Sequence, residues 1–293
     1  MRRRPVLWVS IALLAAFVYE GILRPIVHGW VVLPLIPGGL PGLTAILALC
    51  SVTHAWYALG GRTPLFFFAS SAVIAWAYEQ AGVLTGFVYG PYHYTSYLGE
   101  KLGEVPLVIP MAWFMMIYPS YVIANLALSG RPSGTAMGLR NLLALSVASA
   151  ATMTAWDLVI DPILSGPQVR AWVWEGGGRY FGVPLHNYAG WLLTTFTVYL
   201  VFRRIEQRFA AEEPGGRRAA TGADPSASVA VLPVAIYLLM LVSDLVSGVA
   251  PAGLAIIGPV VMGAPVVAAA WQLRTMPIGG RPPGERSRGR PRG

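Results

Sequence analysis

A chain of 293 residues with 55% hydrophobic and only 12% charged side chains, and a mean hydropathy of +0.58, is no ordinary soluble domain, where about a quarter of residues are charged. One cysteine, Cys50, excludes an intrachain disulfide framework and a cysteine-built metal site. The net charge of +8 lies in loops and tails between apolar runs, which suits anionic lipid headgroups better than nucleic acid.

About 20 apolar residues cross a hydrocarbon core, and the composition divides into eight such stretches: 6–23, 40–59, 64–84, 106–128, 138–160, 186–203, 230–249 and 252–273. The fold class expected is all-α, a polytopic membrane bundle of about eight helices. The opening "MRRRPVLWVSIALLAAFVYEG" has the basic front of a signal peptide. Its apolar run is long and no small-residue cleavage site follows, so it reads as a retained first helix. Glu20 at its outer end has Arg24 at i+4 and reads as an interfacial ion pair. Gly and Pro punctuate the connections at 34–42, 61–64 and 129–134, whereas Pro119 and Pro259 fall inside spans, where prolines are tolerated.

Span three carries Glu79 and passes into a tyrosine-rich connection, 85–105, which ends in "VPLVIPMAW" (105–113). Span five carries "TAWDLVIDP", with Asp157 and Asp161 on one helical face and Pro162 expected to end the helix. A second long connection, 161–185, holds Trp172, Trp174, Tyr180 and three consecutive glycines, and ends in "VPLHNYAGW" (183–191). The two phrases lie 78 residues apart, and the same offset takes Glu79 to Asp157. Spans three and four therefore match spans five and six as a parallel internal repeat, the kind of duplication whose sites lie between the copies. Some of the loop aromatics belong to a headgroup belt; the glycines allow the backbone to fold back over a cavity. Residues 1–204 form the membrane core, 205–229 a flexible linker, 230–273 a C-terminal helix pair and 274–293 a basic tail.

With the N-terminus in the cytoplasm, 17 basic residues fall inside and 4 outside (Arg24, Lys101, Arg170 and Arg179). This fits the positive-inside rule, sets both termini in the cytoplasm of an inner-membrane protein and puts both aromatic loops outside.

Carboxylates within spans are costly and mark function by default. Asp244 in span seven has Ser243 and Ser247 nearby to satisfy it. Asp157 and Asp161, so close in a low dielectric, are not expected to ionise together. A retained proton beside a carboxylate equips a site for general acid and base catalysis. The structural alternative ties the pair to Arg170, Arg179 or loop backbone. D-x-x-x-D on a membrane helix also fits magnesium-dependent prenyl transfer, but no second acidic motif is present. His28, His54, His93 and His186 lack the spacing of an iron site, and no dinucleotide fingerprint occurs. No metal or redox cofactor is expected.

The run "YGPYHYTSYLGEKLGEVPLVIPMAW" together with "WDLVIDP" and "WVWEGGGRYFGVPLHNYAGW" resembles a bacterial and archaeal family of carotenoid biosynthesis membrane proteins. That family includes hydratases of bacterioruberin-type and monocyclic carotenoids, and the likeness covers roughly 70–205. The resemblance implies addition of water across the terminal double bond of an acyclic (ψ) carotenoid end. Asp157 or Asp161 would donate the proton, and the other, or Glu79, would orient water. Tyr92, Trp156, Trp174 and Trp191 would offer π faces to the cation; Tyr94, Trp113 and Tyr180 would complete the substrate pocket. His186 and Asn187 would hold the water. The partners implied are a carotenoid drawn from the lipid, membrane lipids and other carotenogenic enzymes, with no nucleic acid. Cyclisation of the same end group, or carotenoid binding without reaction, are the rival readings.

Overall fold

The computed structural model describes residues 4–134, 138–212 and 227–276. Helix α1 (Arg4–Val18) continues through a π turn (Tyr19–Leu23) into the short α2 (Arg24–Val27). Seven long helices follow: α3 (Gly39–Leu59), α4 (Thr63–Thr85), α5 (Ile109–Ser129), α6 (Leu139–Leu164), α7 (Leu185–Glu212), α8 (Ala227–Val246) and α9 (Leu254–Leu273). Among the described residues, six helices are long and apolar enough to cross a membrane; α4 and α7 fall outside that group. The architecture is an all-α membrane bundle.

Local sequence sets the helix ends. Proline stands in the first turn of α4 and α5, where its missing N–H costs nothing. Gly86 and Gly130 close the same two helices in the left-handed conformation, at φ 66° and 64°. Prolines further in leave a carbonyl four residues back without its helical donor, and in three places a hydroxyl from elsewhere fills the gap. Pro119 frees Met115, whose carbonyl accepts from Ser51 Oγ at 2.8 Å. Pro25 follows Gly21 at the same spacing, and Ser243 Oγ donates to the Gly21 carbonyl at 2.9 Å. Pro162 frees Leu158, whose carbonyl accepts from Tyr180 Oη at 2.9 Å. That repair explains a departure from expectation: α6 does not stop at Pro162 but runs on to Leu164.

Helix α5 is the centre of the bundle. Every side chain from Trp113 to Leu126 is buried, as befits a helix apolar on all faces, and α3, α4, α6, α8 and α9 all pack on it. The repeat is visible in the arrangement around it. α4 packs on α7 as α5 packs on α6, so each copy's first helix meets the other copy's second. The two long connections meet at one end of the bundle. There β1 (Tyr92–Tyr94) pairs antiparallel with β4 (Trp172–Trp174), Tyr92 opposite Trp174 and Tyr94 opposite Trp172. Each connection then makes a tight reversal. Leu102 in β2 (Lys101–Leu102) pairs with Val105 in β3 (Val105–Pro106), and Tyr180 bridges Val183. The second reversal lies 78 residues after the first, so both V-P-L phrases leave a β-bridge, from a fully buried valine, to open a helix.

One boundary and one charged residue differ from the sequence expectation. α7 continues to Glu212, through "IEQRFAAE", well into the segment read as linker, because those residues are good helix formers. Residues 213–226 and the basic tail beyond 276 lie outside the described residues. Arg203, counted with the loop cations, is fully buried instead. Its guanidinium donates to Asn125 Oδ1 and Ser149 Oγ, both at 2.9 Å, and lies over the Tyr121 ring. Tyr121 Oη in turn donates to Glu206 at 2.7 Å.

Candidate active site

A strand alternates its side chains between two faces, so residues two apart point the same way. In β1 these are Tyr92 and Tyr94, and both phenols donate to Oε2 of Glu79 on α4, Tyr94 at 2.8 Å. In β4 they are Trp172 and Trp174, whose indole N–H groups donate to Oδ1 of Asp161 on α6 at 2.9 and 3.1 Å. Each copy thus holds one buried carboxylate with two aromatic donors from its own strand. In its hydrogen bonding Glu79 matches Asp161, whereas the 78-residue spacing pairs Glu79 with Asp157. The outward faces hold His93, whose Nδ1 lies 2.7 Å from Glu175 Oε1 in an exposed contact.

Further donors come from the helices that the V-P-L phrases open. Trp113 Nε1 on α5 donates to Glu79 Oε1 at 3.1 Å. Asn187 on α7 gives one amide N–H to Asp161 Oδ2 at 2.7 Å and the other to Asp157 Oδ2 at 2.9 Å. The Asp pair is therefore bridged by a neutral amide, not tied to Arg170 or Arg179. Asp157 Oδ1 is buried without a hydrogen-bond partner. Burial, and then the charge of Glu79, push the Tyr92 and Tyr94 phenols well above their ordinary pKa, which keeps both as donors.

These groups border a cavity of about 320 Å³ at the loop end of the bundle. Three indoles form one wall. Trp113 stacks on Trp191, its equivalent in the second copy, with centroids 4.2 Å apart and planes at 14°; Trp156 meets Trp191 edge-on at 5.9 Å. Helix α1 and its π turn supply Phe17, Glu20 and Gly21, and α8 supplies Met240, Ser243 and Asp244. The rim is exposed at Pro25, Tyr97 and Ser247. Just past α2, Trp30 and Val32 are among the most exposed apolar side chains, at 83% and 93%, so the mouth lies beside a surface suited to lipid.

Of the residues singled out in the sequence, Glu79, Asp161, Asn187, Tyr92, Tyr94, Trp113, Trp156, Trp174 and Trp191 line this cavity. Three do not. Asp157 sits one helical turn from Asp161, in contact with Asn187 but away from the cavity lining. Tyr180 spends its hydroxyl on the Leu158 carbonyl. His186 is exposed, although its neighbour Asn187 is 1% exposed, so the expectation that both would hold a water beside the Asp pair is corrected. Successive helical residues differ by about 100° in direction, and here that turn takes Asn187 inward and leaves His186 outside. Sequence reasoning named Trp172 among the loop aromatics but left it out of the site, although its place two residues before Trp174 puts it on the same strand face. It also overlooked Tyr89, whose ring fits between Gly82 of α4 and Gly190 of α7 and whose hydroxyl meets Thr194 at 2.8 Å.

The sequence matches the family described as carotenoid biosynthesis protein over residues 41–262. It is similar to a bisanhydrobacterioruberin hydratase of Haloarcula japonica, 35% identical over 125 residues, which is 42% of this chain and 39% of that protein. The matched stretch thus spans about two fifths of that relative's length. No solved structure matches the chain.

Proposed function

The chain belongs to the carotenoid biosynthesis protein family, and on that premise we propose that it is a hydratase acting on the terminal isoprenoid double bond of an acyclic carotenoid. The observation that carries the proposal is a membrane cavity walled by three indoles, with carboxylates held by neutral donors on its border. The relative named as a hydratase supports the reaction class.

Hydration of a trisubstituted alkene proceeds in three steps. A proton adds to the less substituted carbon, and the π pair becomes the new C–H bond. The tertiary cation left behind is captured by a water oxygen lone pair. The resulting oxonium loses a proton to a base. Indole faces stabilise the cation, and carboxylates nearby lower its energy further because the surroundings have a low dielectric. Glu79 and Asp161, each aimed by three hydrogen bonds, suit the last step, orienting water and accepting its proton. Asn187 keeps Asp157 and Asp161 from swinging away. The carotenoid end enters at the mouth between α2, the first loop and the end of α8, with the remainder of the polyene in lipid. The aromatic ribbon then lies at the outer face of the inner membrane, with both termini in the cytoplasm.

Expression in cells that make lycopene or bisanhydrobacterioruberin, followed by mass analysis of pigments, tests the reading. The expected product is heavier by one water per reacted end and is lost in Asp161→Asn. Pigment of unchanged mass with a cyclised absorption spectrum would assign cyclisation instead. Untouched pigment from the wild-type chain with both compounds would sink catalysis on them.

A further inference from the structure

Asp244 on α8 lines the same cavity as Glu79 and Asp161 and is 6% exposed. The serines beside it do not satisfy its carboxyl: Ser243 Oγ donates to the Gly21 carbonyl and Ser247 Oγ to the backbone carbonyl of Asp244 itself. The donor that reaches the side chain is Trp156 Nε1, 3.2 Å from Oδ2. Trp156 is one end of the indole row, and Trp113, at the other end, donates to Glu79. The row therefore runs between two carboxyl groups of unlike surroundings.

That difference assigns roles. Glu79 and Asp161 each accept from three N–H or O–H donors. Three donors stabilise each group as a carboxylate and leave about one of its four lone-pair positions free to take up a proton. Asp244 accepts one bond and keeps its remaining oxygen positions for a proton and for whatever occupies the cavity. Resting on the hydratase reading, we propose that Asp244 is the proton donor and that Glu79 and Asp161 are acceptors only. The Asp244 O–H bond breaks as its proton joins the less substituted alkene carbon, leaving Asp244 as carboxylate and the cation on the tertiary carbon over the indoles. Water forms the C–O bond, and its surplus proton passes to Glu79 or Asp161. One water is consumed. The cycle closes when that proton leaves to solvent and Asp244 regains one at the mouth, where Ser247, three residues on, is exposed.

The test compares pigment conversion by membranes carrying the full chain or its Asp244 variants. Asp244→Asn lowers the rate by about 10²- to 10⁴-fold, the usual worth of a positioned general acid. Asp244→Glu restores part of it. Asp244→Ala gains rate with added formate, a response that Asp161→Ala lacks. Wild-type-like conversion by Asp244→Asn overturns the proposal and leaves the hydratase reading intact. Loss in Asp244→Asn with neither glutamate nor formate rescue also overturns it, because Asp244 would then act only by holding Trp156. Absence of hydrated product from the wild-type chain overturns both.

Discussion

His186 and Asn187 are adjacent letters in opposite surroundings, and the difference is measurable. His186→Ala is expected to convert carotenoid at the wild-type rate, since its side chain is exposed. Asn187→Leu removes a donor from Asp161, which keeps its two indoles, and leaves the buried Asp157 carboxyl with no donor. A lost hydrogen bond to a buried polar group costs about 1–3 kcal/mol, so the melting temperature of the detergent-solubilised protein falls and conversion falls with it. Equal effects from the two substitutions would contradict the placement. Tyr180→Phe isolates a purely structural bond: the Leu158 carbonyl, freed by Pro162, loses its donor. The expected result is a similar loss of stability, read as a lower melting temperature, with unchanged conversion per folded molecule. At this scale the sequence indicated the right phrase but not the right letter. Trp172, Trp174 and Tyr180 all looked like substrate or belt aromatics, and only their hydrogen-bond partners separate them.

Among elements, the clearest difference between the two V-P-L helices is one methyl group. Ala112 of α5 lines the cavity. At its counterpart Gly190 on α7, a Cβ would lie 2.3 Å from the Val88 carbonyl oxygen and 2.5 Å from the Tyr89 ring. The first loop presses on α7 there, so the glycine is needed for close approach. Gly190→Ala should therefore destabilise by about 1–3 kcal/mol, the usual cost of overpacking, although alanine favours a helix. Amide hydrogen exchange should quicken through 86–91, and unchanged protection there would refute the argument. The repeat was legible because hydropathy, an acid and V-P-L recur at one spacing. The acid that matches Glu79 in hydrogen bonding was not, because the strands choose it: Asp161 is the carboxylate within reach of the β4 indoles.

For the whole molecule, the cavity is shared between the copies. Glu79, Tyr92, Tyr94 and Trp113 come from the first, Trp156, Asp161, Trp174, Asn187 and Trp191 from the second, and Asp244 from outside both. The β1–β4 ribbon and the α4–α7 and α5–α6 contacts join them. A chain divided within 131–138 and expressed as two pieces should therefore reassemble, with the pieces copurifying and converting carotenoid together. Neither piece alone should convert any, and conversion by a single piece would show that the site is not shared. Arg203 marks what a charge count misses at this scale. It stands at the end opposite the loops, as the count expected, yet it points into the bundle.

Hydropathy, repeat spacing and the resemblance of two loop motifs determined the all-α membrane class, the duplication and the family, because each depends on which residues follow one another along the chain. The tertiary structure decided how the acids differ. Glu79 and Asp161 are each held by three donors, Asp157 is set apart and Asp244 has one donor at the far end of the indole row. Those distinctions depend on partners up to 88 residues away in the chain. Hydrogen bonds of this kind act through distances of about 3 Å between side chains brought together only by packing.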